Sequence, residues 1–100
     1  MRFIEHRVKG LRRMLIAGGV DPRRLHVHLS EIGPGTRAHP AHAHEGVEAF
    51  LVLEGTGAVE AGGSSHPLGP EECLVLDATI EHGLVNTGSG RLRYLVITSP

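Results

Sequence analysis

Apolar and polar positions alternate cleanly over residues 24–32. Leu25, Val27 and Leu29 fall on one side of an extended chain, and His26, His28 and Ser30 on the other. This predicts a half-buried strand, with the His26 and His28 side expected to face solvent or, failing that, a binding pocket. Residues 47–54 form a largely apolar strand closed by Glu54-Gly-Thr-Gly57, a hairpin turn, and residues 57–61 are its partner, ending at Gly62-Gly63. The stretch 64–68 is short and polar, and Pro67 and Pro70 give it edge or loop character; His66 reads as loop. Residues 73–76 and 82–86 read as buried strands, and 91–98 as the last strand after the turn Thr87-Gly-Ser-Gly90. Residues 1–10 have no clear period and fit a short helix or an edge strand, and His6 carries no signal. Residues 11–17 grow apolar before a turn at Gly18-Gly19. About eight short strands with glycine-rich turns and no helix predict an all-β sandwich or barrel.

Composition narrows this. One hundred residues allow one small domain with a thin core, and dimerisation is a natural way to bury more surface. The formal net charge is -1, which gives no overall attraction for nucleic acid or an anionic membrane. Seven of the ten basic residues nevertheless lie in the first quarter: Arg2, Arg7, Lys9, Arg12, Arg13, Arg23 and Arg24. Without interleaved aromatics this segment reads as surface charge or a dimer contact, not a nucleic-acid site. The single cysteine, Cys73, excludes an intrachain disulfide and is expected to be a buried, inert thiol within Cys-Leu-Val-Leu. No apolar run is long enough for a membrane helix and no apolar leader is visible, so a cytoplasmic protein is expected.

The chemistry concentrates between Gly35 and Glu48, where His39, His42 and His44 stand with Glu45 and Glu48. His42 and His44, two apart, leave the same face of an extended chain, and two neutral imidazoles on one face can converge on one metal ion. Glu48 has the same parity but would lie roughly 20 Å from His42 on a straight strand. A bend is therefore expected between them, and Gly46 is the permissive residue. A fourth ligand should come from elsewhere, and His82 is the candidate. The alternative is a solvated histidine loop and a satisfied core histidine.

These residues carry a resemblance. Gly35, His42-x-His44, Glu48 and Gly55 resemble the first motif of the cupin family, with one extra residue before His42. His82-x-x-x-Asn86 resembles the end of its second motif, although Glu71, Asp77 and Thr79 stand where that pattern has Gly, Pro and Gly. The resemblance implies a single cupin domain over 1–100: a jelly-roll β-barrel with an N-terminal strand or arm over 1–20 and the core, with both motifs, over 33–98. It also implies that His42, His44, Glu48 and His82 hold one divalent transition metal: Fe, Mn, Ni, Co or Zn. Such cupins include dioxygenases, isomerases and decarboxylases acting on a small organic substrate in the barrel, and also non-catalytic binding or sensor domains with an anchoring metal. A homodimer is expected. Metal ligation by Glu48 is expected over a role as free general base.

Other residues belong to the pocket or its surroundings. Phe50 and Val52 share the parity of Glu48, which predicts an apolar wall beside the metal. His39 is expected at the pocket mouth or surface, and His26 and His28 are candidates to contact substrate or support ligands. Tyr94 is expected to pack in the last strand, with its hydroxyl available to the pocket, and Asp77 is a candidate hydrogen-bond partner for a histidine ligand. No nucleophilic triad, phosphate loop or CxxC motif is present.

Overall fold

The computed structural model describes residues 2–100. It is built from nine strands: β1 (Phe3–His6), β2 (Met14–Ala17), β3 (His26–Ile32), β4 (Val47–Glu54), β5 (Gly57–Ala61), β6 (Ser64–Leu68), β7 (Cys73–Asp77), β8 (His82–Asn86) and β9 (Leu92–Ser99). A single 3-10 turn, Pro22–Arg24, is capped by Asp21, whose side chain accepts from the Arg23 amide. Among the described residues no helix is long and apolar enough to cross a membrane.

Two sheets face each other, one in the order β3-β9-β4-β7 and the other β6-β5-β8, every pairing antiparallel. Side chains directly opposite in a ladder share a face. Glu48, Phe50 and Val52 on β4 thus share the inner face with Thr98, Val96 and Tyr94 on β9, and with His26, His28 and Ser30 on β3. The other sheet contributes Val59, Leu84 and Leu68, and these interdigitate with Phe50, Val52, Leu92, Tyr94 and Val96 in one core. Asn86 ties the sheets at one end: its side-chain amide donates to the carbonyls of Ile32 (3.0 Å) and Gly90 (2.8 Å).

Several expectations change. The polar side of β3 faces inward, not to solvent: Ser30 is buried and His28 half-buried. The apolar side carrying Val27 and Leu29 faces out and is covered by the N-terminal segment, where the Leu29 amide donates to the Lys9 carbonyl at 2.9 Å. The segment lies so close that a Cβ on Gly10 would come within 2.0 Å of the Leu29 carbonyl oxygen. Leu25 precedes the strand and is exposed. The start of the chain is a hairpin, β1 with β2, forming a two-stranded sheet of its own.

The strand 73–76 is not buried. Cys73 and Val75 point to the outer face and are exposed, because nothing among the described residues covers that side of β7. His66 sits within β6, an edge strand, where Pro67 removes no needed ladder donor.

The altered second motif also has a structural account. Glu71 adopts φ +66°, the left-handed conformation a glycine would take without cost, and its amide still donates to the Val52 carbonyl at 2.8 Å. A side chain there costs roughly 1–2 kcal/mol.

Candidate metal centre

The predicted bend is real. Gly46 has φ +100°, and a Cβ on it would lie 2.3 Å from the Ser99 carbonyl oxygen. Its carbonyl accepts from the Ala78 amide, and the Ala78 carbonyl accepts from His44, both at 2.9 Å. These bonds fold the histidine stretch back over β4. A second clamp joins His42 to His82, whose backbone amides and carbonyls bond reciprocally at 3.0 and 2.8 Å. The turn leading to His82 is held by Asp77, which accepts from the Thr79 amide (3.0 Å) and hydroxyl (2.7 Å). Those two bonds hold the Asp77 carboxyl below its usual pKa. Asp77 therefore shapes the turn before His82, and its partner is Thr79 and not a histidine ring.

The result is four convergent side chains. One donor atom from each of His42, His44, Glu48 and His82 lies within 4.8 Å of the others. Donors about 2.1 Å from a common ion stand roughly 3 Å apart at right angles and about 4.2 Å apart in line, so this set fits one ion after a small contraction. Glu48 is 6% exposed and His82 0%. Their facing atoms, Glu48 Oε2 and His82 Nε2, are 2.6 Å apart, yet not aligned as a hydrogen bond, and both are buried without a partner. Two orphaned donors aimed at one point are what a cation would satisfy. Glu48 Oε1 also lies 3.7 Å from His44 Nε2.

The imidazole tautomers follow from their partners. His82 Nδ1 lies 2.7 Å from the Ile80 carbonyl and His44 Nδ1 lies 3.0 Å from the Glu45 carbonyl. A carbonyl can only accept, so each Nδ1 carries a proton, and Nε2 is the atom each ring leaves to face the centre. Burial, and then the neighbouring rings of His39, His82 and His44, hold the pKa of His42 below its ordinary 6.5 against the pull of Glu48. His42 thus favours the neutral form a metal requires.

Around the centre, Phe50 presents its ring 6.4 Å from that of His82, and Tyr94 follows 6.4 Å beyond Phe50. Phe50 thus stands beside the centre, and Val52 packs in the core. Tyr94 is buried directly opposite Ser30; burial raises its pKa above 10.0 while Ser30 pulls the other way. His39 is exposed at the mouth, its ring 4.2 Å from that of His42 and its Nδ1 turned to the Pro40 carbonyl (2.9 Å). It lies outside the set of four. His26 is exposed at the end of β3, and His28 is half-buried, with a pKa lowered first by burial and then by Lys9. The Ser30–Tyr94 contact and the Asn86 clamp had no signal in the sequence, because both depend on which strands become neighbours.

Comparison with known proteins agrees with this geometry. A 73-residue stretch, 73% of the chain, is 36% identical to dimethylsulfoniopropionate lyase DddW of Ruegeria pomeroyi. It covers 47% of that protein, so the chain spans about half the length of this curated relative. The solved structure of TT1209 from Thermus thermophilus aligns with a TM-score of 0.73 at 23% identity, over 99% of this chain and 84% of that one. A sugar phosphate isomerase from a cupin superfamily, of Silicibacter pomeroyi, aligns with a TM-score of 0.69 at 27% identity, over 83% and 54% of the two chains. The cupin domain family pattern runs through residues 28–98, from β3 to the end of β9 and across all four convergent residues. The chain belongs to the cupin family.

Proposed function

We propose that His42, His44, Glu48 and His82 bind one divalent transition metal and that the chain is a small metal-dependent enzyme acting on an organic substrate held in the barrel. The observation that carries this reading is the buried, unpartnered pair Glu48 Oε2 and His82 Nε2. A nitrogen and oxygen donor set without sulfur suits Fe, Mn, Ni, Co or Zn. When bound, such an ion supplies a Lewis acid. The chain's own part is to fix, through the Nδ1 bonds, the ring orientation and tautomer in which Nε2 of His44 and His82 can ligate, to hold Glu48 as a ligand, and to exclude water with Phe50 and Val52. The lyase and isomerase among the similar proteins support chemistry on a small molecule over a purely structural barrel.

We further propose that the chain works as a homodimer. The accessible surface is 6424 Å², where a folded monomer of 10.7 kDa has about 5,500 Å². The excess, about 900 Å², is of the size that each partner buries in an ordinary stable interface, roughly 800 Å². Exposed Val47, Leu53 and Val75 lie on β4 and β7, away from the part of the outer face that the N-terminal segment covers, which supports that region as the contact.

Elemental analysis of untagged protein, purified without nickel resin or chelator, tests the metal. About one equivalent of Fe, Mn, Ni or Co per chain is expected. A tight zinc closed by four protein ligands would turn the reading toward a structural or binding role. No metal even after reconstitution would overturn the centre.

A further inference from the structure

The basic N-terminal segment has no part in the centre above, yet it lies along β3, whose His26 and His28 belong to the same inner face as Glu48. Residues 1–25 hold seven basic and two acidic residues, a balance of +5, while residues 26–100 hold three basic and nine acidic, a balance of -6. Both acids of the first stretch are already paired, Glu5 with Arg13 and Asp21 with Arg23. Arg7 and Lys9 have no ion pair among the described residues.

These two cations line a cavity of about 490 Å³ between the N-terminal segment and β3. His6, Arg23, His26 and His28 also line it, over an apolar floor that includes Met14 and Ile16, and no carboxylate belongs to its lining. A scattered solvated charge would not be concave, nor would it be so one-sided. The segment is also fixed in place, by the Lys9–Leu29 backbone bond and the close pass of Gly10.

Two residues of its lining, His26 and His28, stand on the inner face that also carries Glu48. His26 stands opposite Thr98, and Thr98 opposite Glu48, in one row across three strands, which spans about 10 Å. His28 lies in the next row with Val96 and Phe50. The charges of both Lys9 and Glu48 reach His28, with opposite effect.

We propose that this cavity is an oxyanion subsite, in which Arg7 and Lys9 hold the carboxylate or phosphate end of a small organic substrate whose other end reaches the metal centre. The proposal rests on the metal-centre reading only for what the far end of the substrate meets.

The test uses the full chain, as purified and again after chelator treatment, titrated with inorganic phosphate and with butyrate while the histidine ring resonances are followed. Saturable shifts at His26 and His28, with His66 on β6 unmoved, are expected in both preparations. Arg7→Gln/Lys9→Gln should weaken the binding at least tenfold, whereas removing the same charge in Arg2→Gln/Arg12→Gln should leave it within twofold. Tighter phosphate would mark a phosphorylated substrate and tighter butyrate a carboxylic one; either supports the subsite. Equal weakening by the two double variants, or no shift at His26 and His28, would overturn it. Shifts confined to His44 and His82 and abolished by chelator would overturn the subsite and leave the metal centre standing. Retained shifts in a protein that takes up no metal would do the reverse.

Discussion

His44 and His82 offer the same atom to the centre from unlike surroundings, and their replacement should separate ligation from folding. His44 is part-exposed, so His44→Ala should strip most of the bound metal and cost within about 1 kcal/mol of stability. His82 is fully enclosed and bonded to the Ile80 carbonyl, so His82→Ala should lose the metal and also about 3 kcal/mol, through a cavity and an orphaned carbonyl. Glu48→Gln should retain more metal than either, since an amide oxygen still coordinates. Metal content read beside urea denaturation checks all three, and equal metal retention in His44→Ala and the parent chain would remove His44 from the set. A pH effect belongs to His28. Its folded pKa lies below the ordinary 6.5, so the unfolded chain binds the proton more readily. Stability is then fully present above pH 6.5 and declines as pH falls from 6.5 to the depressed folded value. Thermal unfolding of chelator-treated protein should show that decline, and His28→Gln should reduce it to the part that His42, also depressed, contributes; an unchanged slope would place the effect elsewhere.

Between elements, the decisive joint is the bend leading from the histidine stretch into β4. Gly46→Ala would force a left-handed alanine against the Ser99 carbonyl, costing about 2 kcal/mol or more, which lowers the melting temperature by roughly 10 °C. It should also cut metal uptake, because the bend sets Glu48 against His44. Retained uptake and stability would show that the joint adapts. This bend was legible in the sequence, since parity and reach together demanded it. So were β4, β5 and β8, whose bounds follow the apolar runs and glycine turns. The orientation of β3 was not. Alternation says which residues share a face but not which face looks inward, and here the inner face carries His28 and Ser30 toward Tyr94. The outward Cys73 escaped for a related reason: an apolar run signals burial only if some layer covers it. The β1–β2 hairpin left no period to read, because both of its strands are only four residues long and β1 is mostly exposed.

For the whole molecule, the covering layer is expected from a second copy. Light scattering on the eluting protein should give twice 10.7 kDa, and Val75→Glu, placing a charge on the exposed outer face of β7, should return it to 10.7 kDa. A monomeric parent chain would refute this. The two facing sheets have another consequence, for time and not for affinity. Glu48 belongs to one sheet and His82 to the other, with His42 strapped to His82. The donors cannot meet until pairings distant in the sequence have closed, and such pairings are the slow part of folding a β-protein. An ion would therefore find its site only after the rate-limiting step, leaving the refolding rate unchanged and slowing unfolding. In a denaturant chevron, saturating metal should lower the unfolding arm alone; a parallel rise in the refolding arm would mean the four donors gather early. On this account the metal acts on how long the closed barrel lasts, and not on how fast it forms.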